Sequence, residues 1–92
     1  MKESVGAKKR RILNALLMGR KITSYEANRI GKTTEGGRMI RFIREKYPVI
    51  KEPITGEVYY RYYIDKEWLA AYRKEKVEKF KNNIKSLINE LF

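Results

Sequence analysis

The chain contains no cysteine and no histidine. Disulfides, thiolate nucleophiles, imidazole bases and the Cys/His clusters of zinc modules are excluded together. Aspartate occurs once, at Asp65, and no two of the 11 acidic residues are placed like the metal-holding cluster of a nuclease or polymerase. An enzyme is therefore not expected, nor a cofactor, a metal or a small-molecule substrate. No apolar run reaches the ~20 residues of a membrane span or the apolar stretch of a signal peptide. The sequence implies a cytoplasmic protein without a membrane partner.

Positive charge is abundant: 22 Lys and Arg stand against those 11 acidic residues, a formal +11 on 92 residues. Such an excess points to a polyanionic partner. It is also uneven, with 15 basic and 6 acidic side chains in residues 1–64 but 7 and 5 in residues 65–92. The chain divides accordingly into a basic domain, 1–64, and a nearly balanced appendage, 65–92. With 42% apolar residues there is material for one small core, of a size that gains from a partner.

Helical periodicity opens the chain. Ile12, Leu13, Leu16 and Leu17 mark a helix from about Ser4 to Met18, stopped at Gly19. Its run Lys8-Lys9-Arg10-Arg11 is either a solvated first turn or a set of phosphate contacts. Thr23 and Glu26 have the spacing of a capping box that opens a short helix to about Ile30. Gly31 breaks it, and Lys32-Thr33-Thr34 is expected to cap a third helix that runs until Tyr47-Pro48. Wound at about 100° per residue, that helix sorts into two faces. Gly36, Ile40, Ile43 and Tyr47 fall on one, while Thr34, Arg38, Arg41 and Glu45 fall opposite. An apolar stripe for a core, an outward arginine row and a shorter helix before it across a turn are the requirements of a helix-turn-helix that reads DNA. Gly36 would let the preceding helix come close, whereas Gly37 beside it should weaken the helix start by roughly 1 kcal/mol.

Beyond Pro48 the period changes to alternation. Residues 49–52 read as a strand, 53–57 as a turn, and 58–64 as a β-prone return strand. Val58, Tyr60, Tyr62 and Ile64 share one face of that strand, and Tyr59, Arg61 and Tyr63 the other. Three helices followed by a hairpin, with Ile22 supplying a small third strand, is the order of a winged helix whose wing tip is Thr55-Gly56. Asp65 then caps a final helix from Lys66 to about Leu91. Within it Val77, Phe80, Ile84, Leu87 and Leu91 step by coiled-coil spacing. That seam predicts a homodimer through the last helix, the alternative being that it folds back on its own domain. The fold expected is mainly α with a small β-hairpin: a winged helix-turn-helix followed by a C-terminal helix.

These segments carry a family likeness. Residues 22–31 (Ile-Thr-Ser-Tyr-Glu-Ala-Asn-Arg-Ile-Gly), 38–50 and 59–63 resemble the small winged helix-turn-helix proteins of bacteriophages and prophages, whose second helix opens with Ile-Thr-x-x-Glu-Ala. The likeness covers about residues 8–64. It implies a role in transcriptional control, replication or packaging inside a bacterial or phage-infected cell.

For double-stranded DNA, Thr33 and Thr34 are the expected phosphate ligands at a helix N-terminus. Arg38 and Arg41 are placed to reach base edges, guanine being the usual target of a bidentate arginine. Arg44 lies on the same helix. Lys32, Lys51, Thr55 and Arg61 would add contacts without sequence preference. Glu35 and Glu45 among the cations favour a site-selective regulator, because carboxylates repel phosphate. Phe42 is expected against the hairpin rather than on a thymine methyl. Two rivals remain. A tyrosine-rich hairpin and apolar tail would also suit an interaction module for an acidic protein, and Tyr59 and Tyr63 around Arg61 have the makings of a stacking platform for single strands. Gly31-Lys32-Thr33 imitates the end of a P-loop, but Glu26 stands where that motif needs glycine, and no strand precedes it.

Overall fold

Short polar side chains open three of the four helices among the described residues by accepting a backbone N–H that the first turn leaves free. In the computed structural model, which describes residues 4–91, Ser4 caps α1 (Val5–Leu17) by accepting from Ala7 N at 3.1 Å. Thr23 caps α2 (Ser24–Gly31) through the full reciprocal box: its hydroxyl accepts from Glu26 N, and Glu26 Oε1 accepts from Thr23 N, both at 3.1 Å. Asp65 Oδ2 accepts from Trp68 N at 3.0 Å to start α4 (Lys66–Leu91).

The remaining helix, α3 (Gly36–Arg44), departs from expectation at both ends. Its cap is not a threonine. Thr33 Oγ1 accepts from Glu35 N inside the preceding turn, Glu35 occupies the cap position without capping, and Asn28 Oδ1, reaching across from α2, accepts from Gly36 N at 2.6 Å. Thr34 therefore lies outside the helix. At the other end the chain leaves the helix at Arg44, whose carbonyl is the one a helix would pair with residue 48; Pro48 has no N–H to donate and its ring would collide with that carbonyl. The N–H groups of Lys46 and Tyr47 both turn onto Ile43 O. Glu45 and Tyr47 consequently lie past the helix end.

Gly36 is where α2 and α3 meet. A Cβ there would stand 2.6 Å from Asn28 Oδ1, 2.7 Å from Asn28 N and 2.8 Å from Ala27 Cβ. The buried face of α3 consists of Gly36, Met39, Ile40 and Ile43, so Met39 joins the stripe legible in the sequence. These side chains pack with Ile12 and Leu16 of α1, Ile22, Ala27, Val49 and Ile64 in a single core.

Three antiparallel strands, β1 (Ile22–Thr23), β2 (Val49–Pro53) and β3 (Tyr60–Ile64), form a sheet in the order β1-β3-β2. Ile22 is indeed the third strand, opposite Tyr62. Val49 opposes Ile64 and Lys51 opposes Tyr62, so these four residues share the face turned to the core. The return strand begins at Tyr60, two residues later than its β-prone composition suggests. Pro53, which has no N–H to donate, pairs with Tyr60 and ends the ladder. A loop turning at Gly56 (φ 82°) then carries Val58 out to 93% exposure. Tyr59 leaves the strand as well, and meets Tyr25 of α2 edge-on with ring centroids 5.4 Å apart.

The core reaches past residue 64 into α4. Leu69 is buried in it, Trp68 stacks on Tyr72 (5.1 Å) and receives Tyr47 edge-on (5.6 Å), and Arg73 donates to Leu17 O at 3.2 Å. Beyond Arg73 every described residue of α4 is exposed. The helix does not fold back on its domain, and projects from it to give the molecule a 60 Å long axis. No helix among the described residues is long and apolar enough to cross a membrane.

Candidate nucleic-acid interface

Two basic hollows flank the start of α3. The first is a cleft of about 300 Å³ bounded by Ser24, Gly37, Ile40, Arg41, Arg44, Lys51 and Tyr62. Its geometry follows from the sheet register. Lys51 and Tyr62 are cross-strand partners on the face turned toward the helices, and α3 presents Arg41 and Arg44, three residues apart, on the neighbouring wall. The Lys51 ammonium lies 4.1 Å from the centre of the Tyr60 ring. That contact holds the flexible stem of Lys51 along the sheet. Three cations from two elements thus surround one opening, and the backbone at Gly37 has no side chain to obstruct it.

The second hollow, shallower and about 490 Å³, is bounded by Lys8, Lys32, Thr33, Thr34 and Glu35. Here the α2–α3 turn brings Lys32 and both threonines beside α1, and Lys8 arrives from the basic run at the head of that helix. The run itself divides. Lys8 borders the hollow, whereas Arg11 donates to Gly31 O at 2.8 Å and so ties α1 to the end of α2. Glu35, in one hollow, and Gly37, in the other, are two residues apart.

Arg38 lies between these regions with its head group largely exposed. Glu35 Oε1 is 3.7 Å away, and the guanidinium carbon sits 5.6 Å from the centre of the Phe42 ring. The ring at Phe42, 39% exposed, is thus a platform for Arg38. An ion pair between exposed groups is worth about 0–1 kcal/mol. Glu35 and Phe42 together therefore bias where Arg38 points without locking it.

The structure does not gather every expected residue. Arg61 alternates to the sheet face away from the cleft, opposite Glu52 in the β2 register and Thr23 in the β1 register. On that same face Lys21 lies 3.6 Å from Glu52 Oε2 and 4.6 Å from the centre of the Tyr63 ring. Thr55 is exposed at the hairpin tip. Tyr59 and Tyr63 do not flank Arg61 as a platform, because Tyr59 has left the strand for Tyr25 and Tyr63 is occupied by Lys21. Ser24, Tyr62 and Gly37 border the cleft without having been singled out as ligands. The alternation of β3 already set Tyr62 apart from Arg61. Only the tertiary fold brings Ser24, at the start of α2, to the same opening.

Comparison with protein families, with curated proteins and with solved structures finds no match to this chain.

Proposed function

We propose that this chain is a winged helix-turn-helix protein that binds double-stranded DNA with sequence preference, as a transcriptional regulator of phage or prophage type. One observation carries the proposal: Arg41 and Arg44 of α3 and Lys51 of the hairpin surround a single open cleft in a chain of net charge +11. In a winged helix the third helix enters the major groove and the hairpin rides the adjacent backbone. A cleft between them with Arg44 on one wall and Lys51 on the other suits a phosphate strand passing through it. Helix α3 then offers Arg38 and Arg41 to base edges, and the hollow at Lys8, Lys32, Thr33 and Thr34 supplies contacts to a second stretch of backbone. Glu35 beside Arg38 supports preference over uniform clamping, since a carboxylate at the groove penalises every register in which it meets phosphate. The family likeness of residues 8–64 supports the phage-type regulatory role.

Retention of random duplexes at roughly 50 and 200 mM salt, followed by sequencing, tests the proposal. Enrichment of a motif with retention falling steeply as salt rises is the expected result. Retention without enrichment overturns the sequence preference. No retention at either salt overturns DNA binding and leaves the interaction module for an acidic protein.

A further inference from the structure

From Val77 onward α4 presents Val77, Phe80, Ile84, Leu87, Ile88 and Leu91 within one sector of about 100°, and all six are exposed, uncovered by the other described residues. Phe80 is 65% exposed and Leu91 78%. The first turns of the same helix are anchored by Leu69 and Trp68, so the stripe is held at the end of a stiff arm. Six large apolar side chains on one face of a projecting helix call for a cover.

We infer that the cover is the same stripe of a second copy, with the two helices antiparallel. The flanking charges select this arrangement. Val77, Ile84 and Leu91 occupy the first core position of each heptad and Phe80 and Leu87 the second, which places Lys76, Asn83 and Glu90 along one edge of the seam and Lys81 and Ile88 along the other. In a parallel pair Lys76 faces Lys81 of the partner subunit, and the repulsion occurs twice by symmetry. An antiparallel pair centred near Asn82 layers Val77 on the partner's Leu87 and Phe80 on the partner's Ile84. It sets Lys76 against the partner's Glu90, again twice, and Asn83 against the partner's Asn83. Two Lys76 repulsions become two attractions, against one remaining repulsion where Lys81 faces the partner's Lys81 across the dyad, and the two asparagines share amide hydrogen bonds there.

A seam of this length falls below the ~1,200 Å² of a standard interface, so the dimer is a weak one, populated by concentration or by a shared DNA. Its geometry also limits the target, a consequence that rests on the DNA-binding proposal above. Sixteen residues of α4 separate Lys66 from the centre of the pair, and at ~1.5 Å per residue the starts of the two arms stand about 48 Å apart. That exceeds the ~34 Å of one helical turn of DNA. The pairing thus favours an inverted repeat whose half-sites are spaced beyond one turn.

The cysteine-free chain permits a direct test with single cysteines in the full protein. Under mild oxidation Asn83→Cys is expected to cross-link and Val77→Cys is not. The reverse pattern overturns the antiparallel arrangement. In sedimentation over roughly 10 to 500 µM, the wild type shifts toward twice the monomer mass, Glu90→Lys weakens association about tenfold, and Lys76→Glu with Glu90→Lys restores it. A wild type that stays monomeric throughout, or a double variant no better than Glu90→Lys, overturns the pairing. None of these measurements contains DNA, so their failure is distinguishable from a failure to bind duplexes.

Discussion

Replacing the adjacent glycines of α3 by alanine, one at a time, should move stability in opposite directions. At Gly36 the added methyl would lie 2.7 Å from Asn28 N and 2.8 Å from Ala27 Cβ, neither of which can rotate away, and 2.6 Å from the Asn28 oxygen that caps the helix. The helices must separate, which costs about 1–3 kcal/mol as overpacking. Disturbing the Asn28 cap adds roughly 1 kcal/mol, and the better helix propensity of alanine returns roughly 1 kcal/mol. The net is a loss of about 2 kcal/mol, or roughly 8–16 °C in Tm for a domain of this size. At Gly37 the nearest atom, Ser24 Cβ, is 3.7 Å away, an ordinary contact. Only the propensity gain remains there, up to about 1 kcal/mol and roughly 4–8 °C. Thermal unfolding followed by circular dichroism measures both. Gly37→Ala should meanwhile weaken duplex binding about fivefold, because its methyl stands at the cleft where a backbone is to approach. A Gly36→Ala protein as stable as wild type, or equal losses at the two positions, refutes the account of how α2 and α3 pack.

The remaining predictions concern the interface and one cap. Arg41→Ala should lose about 1–3 kcal/mol on a preferred site and much less on random duplex, while Lys32→Ala should weaken all sequences alike and lower the salt slope by about 1; titrations at several salt concentrations separate the two. Glu35→Gln removes a carboxylate beside Arg38, so binding to random DNA should tighten and the ratio of specific to random affinity should fall, as read by competition with unlabelled duplex. Thr23→Ala removes the hydroxyl that accepts from Glu26 N, while its backbone N–H can still donate to Glu26 Oε1, and should lower stability by about 0.5–2 kcal/mol in denaturant unfolding. Unchanged unfolding of that variant would mean the threonine hydroxyl contributes nothing to α2.

What the sequence revealed and what it hid follow the range of the interactions. The Thr23–Glu26 box, the Asp65 cap and the helical run of α4 act over three or four residues, and all three were legible. So was the pairing of Ile22 with the hairpin, because a lone β-branched residue before a cap has few other uses. The cap of α3 was misplaced because it comes from Asn28, eight residues away across a turn. Composition marked Val58 and Tyr59 as strand, yet the ladder had already ended at Pro53 and Tyr60. Of the candidate contacts, alternation along β3 separated Arg61 from Tyr62. The joining of Lys8 to Lys32, and of Ser24 to Arg41, depends on how α1, α2 and α3 cross, which no local pattern encodes.

Lys32 is the one described residue other than glycine with positive φ, at 53°, where the chain leaves α2. Left-handed backbone favours glycine at the end of a helix, and a side chain there is held against a conformational preference. Folding alone would place glycine at this position, so the lysine points to a selective advantage of another kind. Lys32→Gly is thus the substitution that dissociates the two demands: the molecule should become harder to unfold and poorer at holding DNA, a trade that no other basic residue of the hollow offers.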